Sequence, residues 1–275
     1  MACPATREWH LKYRPKMLWE VIGQDAVVTA LRPLISEPKR IPRAILFVGP
    51  SGTGKTTLAR IIAHALGCAG WPNLYELDAA SYSGVADIRQ LVWRHLYYRA
   101  LAVRPEKIVI LDECHAFSSH AWQALLQPLE EPHAHVYWCL CTTEPEKVPA
   151  TIRSRCRRYG LRPIATPALR AHLEWIAKRE RVDVNGCVLD LCAKQARGNV
   201  RQAIVNLETI ADCGQDLKTA RELLRQPSSP QAARRNGAAA LGKLVDEGLS
   251  QEAIAERLDV SRTTVWRRKK RAGLV

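Results

Sequence analysis

The residues best suited to chemistry lie in a glycine-rich segment that joins an apolar run to a helix-forming stretch. Residues 49–56 read Gly-Pro-Ser-Gly-Thr-Gly-Lys-Thr and directly follow the apolar residues 44–48. Glycines in such a segment let the backbone turn sharply and direct its N–H groups at a phosphate chain. Lys55 supplies a point charge for the β- and γ-phosphates, and the Thr56 hydroxyl is placed for Mg²⁺.

The segment therefore predicts a nucleotide site, with an ordinary glycine-rich turn as the alternative. The helix that follows aims the positive end of its dipole at the same anion. The predicted nucleotide contacts are Gly49, Pro50, Ser51, Gly52, Thr53, Gly54, Lys55, Thr56 and Thr57.

A second apolar run ends in two neighbouring carboxylates, Asp112 and Glu113. Strand periodicity directs their side chains to different sides. Asp112 can hold Mg²⁺, usually through water, together with Thr56. Glu113 is then free to orient and deprotonate the attacking water. Alone, such a pair is more often a strand end, but after the glycine-rich segment it predicts hydrolysis.

Two further features belong to a later apolar strand and the residues after it. The strand ends in Thr142 and Thr143, where a hydroxyl can sense the γ-phosphate or position the attacking water, or is simply satisfied at the strand end. The basic run 152–158, which contains Arg155, follows what we interpret as the last core strand. Such runs are usually solvated, but here an arginine is placed to reach a neighbouring subunit's nucleotide and stabilise charge on the transferring phosphate.

The amino-acid composition indicates where the protein is expected to reside and what kind of partner it is expected to bind. The chain has 275 residues, nine cysteines and a formal net charge of +14. It has no apolar run long enough to span a membrane and no secretory signal, so we expect a cytoplasmic protein. The excess of basic residues favours a nucleic acid partner. The cysteines are odd in number and lack zinc-site spacing, which predicts reduced thiols, no disulfides and no structural zinc.

Strand-like and helix-like runs alternate in the first part of the chain. The predicted strands are 45–48, 74–77, 108–111 and 136–141, and the helices between them include 56–66 and 85–98. This alternation predicts an α/β domain over residues 1–160, with a parallel sheet covered by helices on both faces. Helical periodicity at 167–181, 185–197 and 200–213 then predicts an all-helical domain over 161–225, and 226–235 reads as a linker.

The last forty residues, 236–275, predict a helix-turn-helix. Ser250 is placed to cap one helix, a short turn follows it, and a second helix runs from Arg262 to about residue 271. In such a fold the second helix enters the major groove of DNA. The candidate DNA contacts are Arg262, Thr263, Thr264, Arg267 and Arg268. The alternative is a basic helical hairpin that packs on the preceding domain and binds nothing.

Taken together, these motifs resemble those of clamp-loader AAA+ ATPases, over roughly residues 7–213. The matching segments are residues 12–16, 21–24, 49–56, 77–81, 112–115, 129–132, 142–145, 154–156 and 198–201. The Ser-Arg-Cys motif at 154–156 is the most diagnostic of these. Within the family, the chain is most similar to the bacterial gamma/tau type, with replication factor C small subunits next.

The resemblance implies roles for residues that the pattern alone leaves open. It implies ATP and Mg²⁺ as the nucleotide and metal, an oligomer of like or unlike clamp-loader subunits, and DNA and a sliding clamp as partners. It implies adenine contacts from Tyr13, Arg14 and Pro15, a first sensor at Thr143, a second sensor at Arg201 and a finger at Arg155 that acts on a neighbour's nucleotide.

Three departures from the family pattern qualify these roles. Only Cys68 remains of the family's four-cysteine zinc module. The lysine expected before the segment 129–132 is Gln127, and the Pro128 that follows it would end or kink the helix. After residue 225 the helix-turn-helix stands in place of the collar that holds the family's pentamers together, so the resemblance does not extend to a stable pentamer.

Two functions follow as hypotheses. The first is a DNA-dependent ATPase that loads a sliding clamp in replication. The second is an ATP-dependent assembly switch that the helix-turn-helix delivers to particular DNA sites, in phage replication initiation, transposition or regulation.

Overall fold

The computed structural model describes residues 8–68, 70, 72–81, 106–213 and 217–224. The chain divides into two compact units, residues 1–224 and 225–275, and every described residue belongs to the first. The helix predicted at 85–98 and the helix-turn-helix predicted at 236–275 therefore lie outside the described residues.

Helices and strands alternate through the first part of the described chain, and helices alone follow. The strands are β1 (Ala44–Val48), β2 (Leu74–Asp78), β3 (Lys107–Asp112), β4 (Val136–Thr142) and β5 (Arg157–Gly160). The helices before residue 160 are α1 (Trp9–Lys12), α2 (Asp25–Ser36), α3 (Lys55–Ala65), α4 (Ser119–Glu130) and α5 (Ala150–Arg153). The later helices are α6 (Thr166–Glu180), α7 (Gly186–Gln195), α8 (Val200–Cys213) and α9 (Leu217–Leu223).

The five strands form one parallel sheet in the order β2-β3-β4-β1-β5. The predicted α/β class is confirmed. The basic run 152–158 does follow β4, the last strand of the core, but its final two residues, Arg157 and Arg158, begin a further edge strand, β5, which pairs with β1 and which we did not expect. Three of the four β5 side chains are exposed, so this edge strand carries no apolar run from which to recognise it.

The central strands are buried on both faces, as a parallel sheet between two helical layers requires. Along β1, Ile45 and Phe47 pack toward α2 and α3, whereas Leu46 and Val48 pack on the opposite side with α4. This alternation follows from strand geometry, in which successive side chains point to opposite faces. Every residue of β1 and β4 is buried, which explains why both strands read as continuous apolar runs.

The later helices form a separate apolar cluster. Leu173 and Ile176 of α6, Cys192 of α7 and Leu207 of α8 are at its centre, and Trp9 of α1 joins them from the N-terminal end of the chain. Helices α6–α9 together are the lid. Because α1 packs into this cluster, the N-terminal segment is fixed against the lid.

Pro128 was expected to end or kink helix α4. The chain remains helical for two residues beyond Pro128 and ends at Glu130, and the Pro128 ring is buried. A proline removes one backbone hydrogen bond, and burial of its ring offsets part of that loss here. No helix among the described residues is long and apolar enough to cross a lipid bilayer.

Candidate nucleotide-binding site

The glycine-rich segment connects β1 to α3 and forms a turn at the carboxyl edge of the sheet. Gly52 and Gly54 adopt left-handed backbone conformations, with φ of 70° and 107°. Gly54 is the N-cap residue of α3, and no side chain caps that helix end. The first N–H groups of α3 therefore remain available to an anion, as phosphate binding at a helix N-terminus requires.

Lys55 is the cation of this turn. Its side chain is buried, and its ammonium donates hydrogen bonds to the carbonyl oxygens of Gly49 and Pro50 at 2.9 and 3.0 Å. Burial lowers the pKa of Lys55, while the nearby carboxylate of Glu113 counteracts that shift. The ammonium group of Lys55 therefore lies where water screens its charge poorly, and its electrostatic attraction to a phosphate is strong.

Thr56 and Asp112 come together although 56 residues separate them. The Thr56 hydroxyl donates to a carboxylate oxygen of Asp112 at 2.7 Å. The other Asp112 oxygen accepts the backbone N–H of Glu113 at 3.0 Å. A hydroxyl and a carboxylate are the oxygen ligands that Mg²⁺ prefers, so this pair fits the predicted metal.

Glu113 is directed toward the site by its backbone. It has a left-handed conformation with φ of 45°, immediately after β3 ends at Asp112. The predicted divergence of the two carboxylates was argued from strand pleating, but Glu113 lies outside the strand, so this turn determines its direction. The Thr143 hydroxyl donates to the Glu113 carboxylate at 3.3 Å.

His115 is a residue of this site that the sequence argument assigned no role. Its Nδ1 lies 3.4 Å from a carboxylate oxygen of Glu113, and its Nε2 lies 3.3 Å from one of Glu144. The same Nδ1 is 3.3 Å from the hydroxyl of Thr142, which is fully buried. The imidazole ring therefore connects the end of β3 to the end of β4. No periodic signal marks His115, because its partner Glu144 is 29 positions away.

The lid contacts the glycine-rich turn directly. The backbone N–H of Val200, at the start of α8, donates to the Gly52 carbonyl at 3.0 Å. Arg201 and Ile204 of the same helix line the cavity above the turn. Arg201 thus lines the same cavity as Lys55 and Asp112, and its role as second sensor stays a prediction from the resemblance.

The N-terminal segment closes the other side of this cavity. Tyr13, Arg14 and Pro15 line it, together with two residues that the sequence argument missed, His10 and His172. Burial lowers the pKa of His172. Burial also lowers the pKa of Arg14, as do the positive charges of Arg60 and Arg201. The two histidines belong to α1 and α6 and come to line one cavity only in the folded chain.

Arg155 does not line this cavity. It lies between α5 and β5, where its guanidinium is paired with Glu130. The predicted DNA contacts, Arg262, Thr263, Thr264, Arg267 and Arg268, lie outside the described residues.

Comparison with known protein families adds two matches. The model for the ATPase family associated with various cellular activities (AAA) matches residues 45–163. A model for a homeodomain-like domain matches residues 239–274, where the helix-turn-helix was predicted. The first match spans the glycine-rich turn, both carboxylates and Arg155.

Similar proteins are known from several bacteria. The DNA polymerase III subunit tau of Escherichia coli (strain K12) is 37% identical over 213 residues, covering 70% of this chain and 33% of that protein. The subunit tau of Bacillus subtilis (strain 168) is 34% identical over 233 residues, covering 77% of this chain and 41% of that protein. The chain thus spans between a third and two fifths of the length of these relatives.

Solved structures match in fold. The Thermotoga maritima RuvB Holliday junction branch migration motor superposes with a TM-score of 0.65 at 21% sequence identity, covering 92% of this chain and 87% of that one. This likeness supports the arrangement of parallel sheet and helical lid.

Proposed function

From the premise that the chain is a clamp-loader-like AAA+ ATPase with a homeodomain-like domain at its C-terminal end, we propose that it binds and hydrolyses ATP to act on DNA in replication. We propose further that it loads a sliding clamp, alone or together with other clamp-loader-like subunits. The observation that carries the proposal is the meeting of Thr56, Asp112, Glu113 and Thr143 beside the glycine-rich turn.

In this proposal, the glycine-rich turn holds the triphosphate. The N–H groups at the start of α3 and the ammonium of Lys55 bind the β- and γ-phosphates. Thr56 and Asp112 would hold Mg²⁺, which when bound neutralises charge between those phosphates. Tyr13, Arg14 and Pro15 contact the adenine.

Glu113 accepts a proton from the attacking water and thereby generates the nucleophile. Thr143 orients Glu113 through the 3.3 Å contact and senses the γ-phosphate. Arg201 contributes from the lid, so that the position of the lid depends on the bound nucleotide. These roles rest on the position of each side chain relative to the turn.

Arg155 acts on the nucleotide of a neighbouring subunit. It is absent from the lining of the cavity of its own chain, and about a third of its side chain is exposed. An arginine supplied by a neighbour is worth roughly 10³–10⁵ in turnover in related phosphoryl-transfer systems. Hydrolysis is therefore expected to require assembly into an oligomer.

DNA is the proposed polymeric partner. The homeodomain-like match supports duplex binding through Arg262, Thr263, Thr264, Arg267 and Arg268. The same match supports a second candidate function, in which this domain delivers an ATP-dependent assembly switch to a particular DNA site, in phage replication initiation, transposition or regulation.

The proposal is tested by measuring ATP hydrolysis against protein concentration, with and without primed DNA and a sliding clamp. We expect a steep rise with concentration, stimulation by DNA and clamp together, and loss of activity in both Glu113→Gln and Arg155→Ala. Glu113→Gln should retain ATP binding, whereas Lys55→Ala should lose it. Clamp loading is overturned if ATP hydrolysis is slow, is unchanged in Arg155→Ala and is not stimulated by any clamp. In that case, a footprint of the protein on a single DNA site favours the assembly switch.

A further inference from the structure

A second groove lies next to the nucleotide cavity and has no role in the proposed function. It runs between the N-terminal segment, residues 12–20, and the outer face of α6, and its volume is about 520 Å³. Two indole rings line it. Trp19 is 76% exposed and Trp175 is 45% exposed. Exposed aromatic rings that are gathered at one groove, unlike singly scattered ones, are a feature of binding sites.

Trp175 is held rigidly in this groove. The ring of His172 stacks on it with centroids 5.6 Å apart, and Tyr13 meets it edge-on at the same distance. The guanidinium carbon of Arg179 lies 4.6 Å from its ring centroid. One wall of the groove therefore consists of planar groups that are already packed against one another. Binding a ligand there costs little side-chain entropy, because these side chains are ordered beforehand.

Trp19 forms the opposite side of the groove. It sits in the short 3₁₀ turn Leu18–Glu20, whose start is fixed because Glu20 accepts the backbone N–H groups of Lys16 and Met17 at 2.6 and 3.2 Å. No aromatic contact to the Trp19 ring occurs among the described residues. An open ring face on a fixed turn is what a stacking platform requires.

The charge of the groove is positive. Lys12, Arg14, Lys16 and Arg179 all line it, and its acidic residue, Glu20, is engaged by the backbone of the turn. Glu180 beside the groove accepts hydrogen bonds from Lys12 and Tyr13, both at 2.5 Å. Burial and this hydrogen bond raise the pKa of Tyr13 to about 12, so the phenol remains a donor. The cations therefore outnumber the carboxylates at a surface that also carries aromatic rings.

We propose that this groove binds single-stranded nucleic acid, with a base stacked on Trp19 and the backbone phosphates held by Lys16 and Arg179. Aromatic rings interleaved with cations suit a single strand. Each unpaired base presents a π face to a ring, and each phosphodiester linkage carries a negative charge that a cation can bind. A duplex does not fit this chemistry, since its base faces are already covered. A site for duplex DNA in the homeodomain-like segment is thus distinct from this one.

The groove is coupled to the nucleotide cavity through shared walls. Five residues line both, namely Tyr13, Arg14, Pro15, Glu20 and His172. A nucleotide that shifts these residues changes the affinity of the groove, and reciprocity requires that the single strand change the affinity for nucleotide by the same factor. The groove thereby links the state of the ATP site to capture of a single strand.

The test measures binding of a fluorescent oligo(dT) and of a blunt duplex to the full chain. An Arg262→Ala/Arg267→Ala background, which removes two of the DNA contacts predicted for the C-terminal segment, should reduce binding by that segment. In that background, Trp19→Ala should weaken oligo(dT) binding about tenfold, because one base loses its stacking partner. Trp19→Phe retains an aromatic ring and should therefore keep most of the affinity. Leu223→Ala, which removes a 45% exposed side chain elsewhere, is the matched control and should have no effect.

Because Trp19 is exposed, its truncation should leave the thermal unfolding temperature unchanged, and this is checked for each variant. The proposal is overturned if Trp19→Ala binds oligo(dT) with the same affinity as its parent. It is also overturned if Trp19→Ala weakens binding of the duplex by the same factor as binding of oligo(dT). If Trp19→Ala instead weakens self-association or clamp binding without affecting oligo(dT), the groove is a protein interface and the proposal fails. None of these outcomes depends on ATP hydrolysis, so the proposed function is tested separately.

Discussion

The guanidinium of Arg155 is paired with the carboxylate of Glu130, the last residue of α4. Its other terminal nitrogen donates to the Thr151 carbonyl at 2.5 Å. The side chain proposed to act on a neighbour's nucleotide is thus held within its own subunit. For Arg155 to reach a neighbour, the contact with Glu130 must break, and assembly therefore competes with this ion pair.

We expect Glu130→Gln to lower the protein concentration at which ATP hydrolysis is half-maximal. The pair is partly exposed, and such pairs are worth roughly 0–1 kcal/mol, so a shift of about two- to fivefold is expected. The measurement is the hydrolysis rate across a dilution series. Glu131→Gln, one residue further along, is the matched control and should behave as the unmodified chain. A higher half-maximal concentration in Glu130→Gln would show that Glu130 serves assembly instead of opposing it.

His115 should affect turnover more than nucleotide affinity. Its ring lies between Glu113 and Glu144, so His115→Ala leaves Glu113 with the Thr143 contact but without the imidazole. We expect kcat to fall about tenfold, a part of the 10²–10⁴ that a general base contributes, with KM for ATP nearly unchanged. Steady-state kinetics check this.

His115→Gln should recover part of the rate, because an amide can bond to the same carboxylate. His120→Ala, which alters an exposed histidine of α4, should leave both constants unchanged. A rise in KM with constant kcat would mean that His115 acts on binding and not on Glu113.

Gly52 is a position at which the turn cannot accept a side chain. A Cβ there would lie 1.9 Å from the Asn199 side-chain oxygen, and φ is +70°. Gly52→Ala should therefore weaken ATP binding at least tenfold, by separating the lid from the turn and straining the backbone. The dissociation constant of a fluorescent ATP analogue measures the effect.

The double variant Gly52→Ala/Asn199→Ala separates the two causes. Removing the Asn199 side chain relieves the clash, but it also removes the oxygen that accepts the Gln202 N–H at 2.9 Å near the start of α8, so recovery should be partial. Gly160→Ala, where an added Cβ meets nothing within 4 Å, should bind as the unmodified chain. Normal binding by Gly52→Ala would contradict the lid contact.

Two cysteines of α7 should differ sharply in reactivity. Cys187 is exposed and Cys192 is buried, and burial raises the pKa of Cys192 to about 12. At pH 8 iodoacetamide should modify Cys187 in the folded chain and reach Cys192 only after unfolding. Peptide mapping by mass spectrometry compares the two. Equal rates for both thiols would mean that α7 opens readily.

The same burial predicts how stability depends on pH. The pKa of Cys156 is also raised to about 12 by burial, whereas an unfolded thiol ionises near pH 8.5. The unfolded chain therefore releases these protons first, and the free energy of unfolding should fall as pH rises above about 8.5. Denaturant melts at pH 7.5 and 9.5 measure this, and replacing Cys192 by Ala should reduce the slope.

The sequence by itself determined which chemistry is present and where along the chain each part lies. The glycine-rich segment, the carboxylates at 112–113 and the apolar strands were recognisable because each is a local pattern, set by backbone freedom or by burial on both faces of a sheet. The homeodomain-like segment was recognisable for the same reason. Local periodicity also predicted α6, α7 and α8 closely.

Only the tertiary structure decided which of these parts meet. The pairing of His115 with Glu144, of Arg155 with Glu130 and of Val200 with Gly52 joins positions 25 or more residues apart, and periodicity carries no information about such distances. The exposed edge strand β5 and the continuation of α4 past Pro128 also depend on neighbouring elements. The residues could be named from the sequence. Their contacts could not, because these depend on the order of the strands in the sheet and on the position of the lid, which together bring the ends of strands close to the starts of helices.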